Sequence, residues 1–218
     1  MFVAGDRVDP KVFARLEEIL KKSPIPVNKY RSMSGEGRSQ CFGIVRQRNN
    51  RYAGSRMNKD RPDIYAELVA IGRRILPADF CYLSIQLNQN YQTAEHKDVG
   101  NRGMSAIVGF GDYTGGDLVI EETPVDIKHK IAFFDGSVYR HHTAPYTGNR
   151  YSIVYHTPDR NFKSVPQYVV EETAKGLQLR ETMNGLTRFY VKGKCVFSSD
   201  QVLPKVRCRK PLLLECEE

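Results

Sequence analysis

FCYLSIQLN, at residues 80–88, is the first of five short stretches rich in β-branched and aromatic residues. Glycine, asparagine, aspartate and proline separate it from the other four, which are SAIVGFG (105–111), DLVIEE (117–122), HKIAFFDG (129–136) and RYSIVYHT (150–157). Short strands of this kind, divided by turn residues, are typical of a β-sandwich or a β-barrel. The sequence therefore predicts a double-layered or closed β-structure in this part of the chain.

Helices are predicted on the N-terminal side of these strands. Asp9-Pro10 precedes a segment whose apolar residues recur at helical spacing, and a second such segment runs from Pro62 to Pro77. A proline in the first turn, with a capping residue before it, is typical of a helix start. Beyond the strands, VEETAKGLQLRETM (170–183) has a helical composition, and TRFYVKGKCVF (187–197) suits a hairpin.

These patterns predict the fold class and the organisation of the chain. We expect a mainly β protein with flanking helices (α+β) that forms one domain over residues 1–218. Its three parts are N-terminal helices with a basic segment (1–80), a β core (81–157) and a C-terminal extension (158–218).

Composition narrows the class of protein. Five cysteines, an odd number without a CxxC pair, argue against a disulfide framework and favour a reducing compartment. No apolar run is long enough to cross a bilayer, and the first residues lack the apolar core of a secretory signal. We expect an intracellular protein, in the nucleus or in the cytoplasm of a bacterial or virus-infected cell, with no membrane partner. The oligomeric state stays open, and a monomer is compatible with the sequence.

The positive charge is concentrated in one segment. Residues 28–61 contain nine basic and two acidic side chains, whereas the whole chain has a net charge of +8. Arginines mixed with aromatic residues suit phosphates and exposed bases. We therefore expect a DNA partner, with Arg46, Arg48 and Arg51 as candidate phosphate contacts. A solvated, irregular surface segment is the alternative.

Three short motifs carry the chemistry: His96-Lys97-Asp98, His141-His142 and Arg150-Tyr151-Ser152. A histidine and an aspartate two residues apart on a strand point to the same face. A histidine from a later strand completes a two-histidine, one-carboxylate set, which suits non-haem Fe(II). The arginine fork two residues before a serine suits one carboxylate of a small dicarboxylate.

In this order, and around the Gly-rich hairpin GDYTGGDL (111–118), the motifs resemble the Fe(II)/2-oxoglutarate-dependent dioxygenase superfamily. The resemblance covers residues 81–157 and implies a double-stranded β-helix, a jelly-roll or cupin-like core. It implies His96, Asp98 and His141 as catalytic iron ligands. It also implies that Arg150 and Ser152 hold the co-substrate 2-oxoglutarate, with O2 as oxidant.

Two adjacent histidines compete for the third ligand position. Neighbouring residues of a strand face opposite ways, so only one of His141 and His142 can face the metal. In related enzymes the iron histidine often stands four residues before a proline, and His141 stands four before Pro145. We therefore expect His141 to be the ligand.

The first motif extends to HxDxxN, ending at Asn101, and the last extends to RxSxVxY, just before His156. These extensions are similar to the TET and base-J-pathway (thymidine hydroxylase) group, which oxidises the methyl group of 5-methylpyrimidines in DNA. The resemblance implies that Asn101 helps to read the target base and that His156 lies near it. A turn residue and a strand-end residue are the alternatives. The chain has neither a cysteine-rich zinc region nor a J-binding domain.

We therefore expect a dioxygenase that oxidises 5-methylcytosine or thymine in DNA. The alternative is a 2-oxoglutarate-dependent hydroxylase of a protein side chain, similar to prolyl hydroxylases. The intact motif set argues against a non-catalytic nucleic-acid-binding module. An AlkB-type demethylase usually has a second arginine at the position that His156 occupies here, which argues against that group.

Overall fold

The computed structural model describes the backbone of residues 2–27, 37–46, 52–77, 80, 82–158, 168–173, 176–181, 188–191 and 194–198. Side chains are described within residues 4–158 of these ranges, apart from residue 52. The predicted phosphate contacts Arg48 and Arg51 lie outside the described residues.

The elements before residue 80 are β1 (Phe2–Arg7), a 3-10 helix (Pro10–Phe13), α1 (Ala14–Lys22), β2 (Arg38–Arg46), β3 (Tyr52–Gly54), α2 (Arg56–Asp60) and α3 (Pro62–Ile75). The central strands are β4 (Ser84–Gln89), β5 (Ser105–Gly115), β6 (Leu118–Ile120), β7 (Thr123–Val125), β8 (Lys130–Phe134), β9 (His141–Thr143) and β10 (Tyr146–His156). The last strands are β11 (Tyr168–Thr173), β12 (Gly176–Glu181), β13 (Arg188–Val191) and β14 (Lys194–Ser198).

Two antiparallel sheets form the core. The major sheet has the strand order β1-β8-β5-β10-β4-β2-β3, and the minor sheet has the order β7-β6-β9. After β4 the chain reaches the minor sheet through an isolated bridge between His96 and His141, and it returns to the major sheet in β5. It then passes through β6 and β7, back to β8, across to β9 and back to β10. This alternation between two sheets is that of a double-stranded β-helix, so the predicted fold class is confirmed.

Strand alternation gives the major sheet two different faces. One face carries the apolar residues that pack against the helices, and it includes Val108 and Phe110 of β5 and Ile153 and Tyr155 of β10. The opposite, inner face turns toward the minor sheet. There a smaller apolar cluster joins the two sheets: Ile107, Leu118, Ile120, Val125, Ile127, Ala132 and Phe134. Because side chains alternate along a strand, each central strand contributes to both faces.

The predicted helices are present and cover the outer face. The Asp9 side chain accepts a hydrogen bond from the Lys11 amide at 2.9 Å, which caps the 3-10 helix that leads into α1. Helix α3 lies close to the sheet, since the Tyr155 hydroxyl donates to the Leu68 carbonyl at 2.7 Å. A Cβ on Gly72 would come within 2.9 Å of the Tyr155 ring. Glycine at this position therefore lets the helix approach the strand.

Two features differ from the sequence predictions. Strands β1, β2 and β3 extend the major sheet with residues from the first 80, where the sequence predicted helices and a basic segment. The predicted helix over 170–183 is wrong, because this segment forms the antiparallel strands β11 and β12. The predicted hairpin over 187–197 is confirmed as β13 and β14.

Among the described residues, no helix is both long and apolar enough to cross a bilayer.

Candidate metal centre and anion site

His96, Asp98 and His141 meet at one end of the minor sheet. The backbones of His96 and His141 exchange two hydrogen bonds, of 3.0 and 2.9 Å. The Asp98 amide donates to the Gly136 carbonyl at 2.8 Å, which ties the loop after His96 to the turn before β9. These backbone bonds bring together side chains that are more than 40 residues apart in the chain.

The two imidazoles present the same nitrogen to the carboxylate. Nε2 of His96 lies 3.5 Å from Oδ1 of Asp98, and Nε2 of His141 lies 3.6 Å from Oδ2. The Nδ1 atoms face backbone carbonyls, that of Ala94 at 2.8 Å and that of Tyr139 at 3.1 Å. A carbonyl only accepts, so each Nδ1 carries a proton, and Nε2 is the nitrogen that can bind a metal ion in exchange for its own proton. This second hydrogen bond is the arrangement that orients histidine ligands in metal sites.

The electrostatics of Asp98 also suit a cation. Burial raises the pKa of its carboxyl group, but hydrogen bonds and positive charge from His141 and His96 outweigh burial and hold the pKa well below its usual range. A metal ion can take the place of the Nε2 protons in this cluster. Glycine keeps the space open, because a Cβ on Gly136 would lie 3.1 Å from Oδ2 of Asp98.

His142 lies outside this cluster. In β9 it pairs with Val119, whereas the buried His141 pairs with the buried Ile120. The strand therefore turns the two adjacent histidines to opposite faces. The structure places His141 beside His96 and Asp98, the position that the sequence predicted for it.

Arg150 is a buried cation on the inner face of β10. Its side chain and backbone together are 2% exposed, and its Nε donates to the Gly116 carbonyl at 3.1 Å. Its guanidinium carbon lies 5.6 Å from the ring centroids of Tyr113 and Tyr146. Burial lowers the pKa of the guanidinium, and no carboxylate among the described residues forms an ion pair with it. A buried charge of this kind is costly unless an anion accompanies it.

Ser152 belongs to a chain of polar groups on the same face. Nδ2 of Asn88 donates to Oγ of Ser152 at 3.1 Å, and Oγ of Ser39 donates to Oδ1 of Asn88 at 2.6 Å. Gln86 continues the chain to Ser39 at 2.8 Å. The residues that make these hydrogen bonds belong to β2 and β4. They hold in place the hydroxyl of Ser152, which stands two residues after Arg150 in β10.

The sequence reasoning did not select Tyr113, which faces the guanidinium of Arg150. Tyr113 is 4% exposed, and its hydroxyl is buried beside the guanidinium of Arg150. Burial raises its pKa to about 12, against the opposing charge of Arg150. The neutral hydroxyl can therefore donate to an anion held by Arg150. The signal that the sequence offered for Tyr113 was its position within the hairpin GDYTGGDL. The structure then pairs it with Gly148 of β10.

Asn101 and His156, the predicted substrate residues, lie next to the cluster of His96, Asp98 and His141. Nδ2 of Asn101 donates to Oδ2 of Asp98 at 3.2 Å, and Oδ1 of Asn101 lies 3.2 Å from Nδ1 of His156. Both residues are half-buried. Arg46, the remaining predicted substrate residue that is described, is the half-buried last residue of β2.

No protein-family model and no curated protein matches the chain. Among solved structures the chain is similar to NgTET1 in complex with 5mC DNA, with 16% identity and a TM-score of 0.48 over 68% of this chain and 66% of that one. It is also similar to a 2OG-Fe(II) oxygenase family oxidoreductase from Burkholderia pseudomallei (15%, 0.49, over 71% and 82%). A third similar structure is a prolyl-4-hydroxylase from Pseudomonas putida (15%, 0.44, over 73% and 92%). The chain thus spans just under two thirds of the NgTET1 structure.

Proposed function

We propose that the protein is an Fe(II)- and 2-oxoglutarate-dependent dioxygenase that oxidises the methyl group of a 5-methylpyrimidine in DNA. The observation that supports the reaction class best is the pairing of two sites on one β-helix. One is a two-histidine, one-carboxylate cluster, and the other is a buried arginine without a carboxylate partner among the described residues.

The donor set fits Fe(II). Two neutral imidazole nitrogens and one carboxylate form the ligand combination of non-haem Fe(II) oxygenases, which leaves coordination positions open for co-substrate and O2. The protein fixes these ligands through the Nδ1 hydrogen bonds to Ala94 and Tyr139. His96, Asp98 and His141 would hold the metal.

The second site fits one carboxylate of 2-oxoglutarate. Arg150 supplies the charge, and the neutral hydroxyls of Tyr113 and Ser152 can add hydrogen bonds. Because burial removes water from these groups, they attract an anion more strongly here than they would at the surface. A bound carboxylate would also compensate the buried charge of the arginine.

When bound, Fe(II) and 2-oxoglutarate supply the oxidising chemistry: O2 is consumed, 2-oxoglutarate becomes succinate and CO2, and a C–H bond becomes C–OH. The chain supplies position. Arg150, Tyr113 and Ser152 orient the co-substrate, while the backbone bonds between His96 and His141 keep the two histidine ligands in register. Burial of Arg150, Tyr113 and Ser152 keeps water from the groups proposed to hold the co-substrate carboxylate.

Two features support a methyl-bearing base as substrate. Val99 and Val138 are exposed by 55% and 50%, and both belong to the turns that the bond between the Asp98 amide and the Gly136 carbonyl joins. Exposed apolar side chains in these two turns suit contact with a methyl group. The basic segment 28–61 suits the phosphates on either side of the base, which must leave the stack to reach the site.

A single assay tests this function. The protein is incubated with Fe(II), 2-oxoglutarate and DNA that contains 5-methylcytosine or thymine, and the DNA is then digested and its nucleosides are measured by mass spectrometry. We expect an oxidised 5-methylpyrimidine nucleoside together with succinate, and neither product from His96→Ala. Succinate without a modified nucleoside would contradict the DNA substrate and would favour the protein hydroxylase. No succinate under any of these conditions would contradict the reaction class.

A further inference from the structure

Asn101 and His156 form a hydrogen-bonded path from the carboxylate of Asp98 to the end of β10. The Asn101 amide group lies 3.2 Å from Oδ2 of Asp98 on one side and 3.2 Å from Nδ1 of His156 on the other. The amide therefore already has partners at both of its ends, and one of those partners is a proposed metal ligand.

The chemistry of the end groups fixes the direction of these bonds. The ionised carboxylate of Asp98 only accepts, so the NH2 group of Asn101 points toward it. The amide oxygen then faces His156, whose Nδ1 must be the donor. The path is thus imidazole N–H to amide oxygen, and amide N–H to carboxylate, with no donor facing a donor.

Backbone bonds hold both ends of this path. The backbone N–H of Asn101 donates to the backbone carbonyl of Asp98 at 2.8 Å. The backbone N–H of Arg102 donates to the backbone carbonyl of Thr157 at 2.9 Å. The His156 carbonyl accepts from the Leu83 amide at 3.1 Å, which joins the end of β10 to the start of β4. The turn over 98–101 is therefore anchored to the major sheet, while His96 is anchored to the minor sheet.

We propose that Asn101 and His156 are positioning residues that hold the Asp98 carboxylate in the orientation in which it binds the metal. This inference rests on the proposed function, because it takes Asp98 to be a metal ligand. It assigns the two residues a role that requires no nucleic acid, in contrast to the base-reading role that the sequence predicted. Partners that orient a metal ligand typically contribute about 10- to 100-fold to metal affinity or activity.

Metal affinity in the absence of substrate is the measurement that separates the two roles. Co(II) alone is titrated into the metal-free full-length protein, without DNA or 2-oxoglutarate, and the visible spectrum of the bound ion is recorded. We expect Asn101→Ala and His156→Ala each to weaken Co(II) binding by about 10- to 100-fold and to alter the spectrum.

A conservative variant, a double variant and a control variant test the path further. His156→Asn places an amide N–H near the position of Nδ1, so we expect it to restore most of the affinity that His156→Ala loses. The double variant of Asn101→Ala and His156→Ala should bind about as weakly as Asn101→Ala, because residues acting in series are not additive. Lys97→Ala, an exposed change in the same loop, should bind Co(II) like the unmodified protein.

The outcomes are distinct. Asn101→Ala that binds Co(II) with unchanged affinity and spectrum but no longer oxidises DNA would overturn the positioning role. Additive losses in the double variant would overturn the path from His156 through Asn101. Two outcomes would overturn the proposed function and this inference together. In one, the unmodified protein binds no Co(II); in the other, His96→Ala binds Co(II) as tightly as the unmodified protein does. Thermal unfolding of each metal-free variant shows whether a loss of affinity follows from a loss of structure.

Discussion

The two faces of the major sheet differ although the same strands build them. Along β10, Tyr151, Ile153 and Tyr155 belong to the apolar cluster beneath the helices, whereas the intervening Arg150 and Ser152 face inward and are hydrogen-bonded. The outer face is apolar and fully packed. The inner face buries a charge and a chain of hydroxyl and amide groups. The contrast teaches that the helix-covered face supplies stability, while the inner face uses that stability to hold polar groups in fixed positions.

The largest effect should come from the proposed metal ligands, which the minor sheet presents toward the inner face: the ring centroid of His141 lies 4.9 Å from that of Phe134. We expect Asp98→Asn, His96→Ala and His141→Ala to reduce succinate formation to the level of a blank without enzyme, since each removes or neutralises one of the three proposed ligands. The unfolding free energy of the metal-free protein should fall for Asp98→Asn, because the carboxylate loses its charged contacts with His96 and His141.

His142→Ala is the matched control, because His142 lies on the opposite face of β9. It should retain succinate formation. Activity in His141→Ala together with loss in His142→Ala would contradict the choice of His141 as the histidine of the proposed metal site.

A core substitution on the outer face should show the reverse. Phe110 is fully buried, and its ring stacks on Phe13 at 4.8 Å and on Tyr151 at 5.1 Å. We expect Phe110→Ala to lower the unfolding free energy by about 3–5 kcal/mol in denaturant titrations. The KM for 2-oxoglutarate, measured on the folded fraction, should stay within about twofold of the original value, since the ring does not face the inner site. A large KM change without loss of stability would remove the distinction between the faces.

Arg150→Met tests whether this arginine strengthens co-substrate binding while lowering the unfolding free energy of the protein. Loss of a charge-assisted hydrogen-bonding group should raise the KM for 2-oxoglutarate by about 10- to 100-fold. The unfolding free energy in the absence of co-substrate should be unchanged or higher by about 1 kcal/mol, because an apolar side chain replaces a buried charge that has no carboxylate partner among the described residues. Arg150→Lys keeps the charge without the planar fork and should give an intermediate KM. An unchanged KM in Arg150→Met would exclude this residue from the co-substrate site.

The smallest expected effect concerns a polar group on the outer face. Tyr155→Phe removes the hydrogen bond from the tyrosine hydroxyl to the Leu68 carbonyl, which measures 2.7 Å. We expect a loss of about 0.5–1.5 kcal/mol in unfolding free energy and no effect on succinate formation. A loss several times larger would show that this bond, rather than apolar packing, holds α3 on the sheet.

The sequence predicted the parts of the fold that have strong local patterns. Helix α3 and strands β5 and β10 combine clear periodicity with turn residues at their ends, and all three are present. Strand β2 was missed because it lies in a segment rich in glycine, serine and arginine, and it forms by pairing with β4. The segment 170–183 was mistaken for a helix because its glutamate, lysine and leucine favour helices, whereas pairing between β11 and β12 decides its structure.

By itself, the sequence determined the candidate ligands His96, Asp98 and His141, the candidate anion site at Arg150 and Ser152, and the alternation that sets His141 and His142 on opposite faces of a strand. These follow from residue type and short-range spacing, which the chain carries locally. Only the tertiary structure decided that Tyr113 faces Arg150 and that Asn101 lies between Asp98 and His156. The contacts of Arg150 with Tyr113 and of His156 with Asn101 join residues far apart in the chain. Strand pairing and register bring them together, and both are set by the packing of the whole sheet rather than by any one segment.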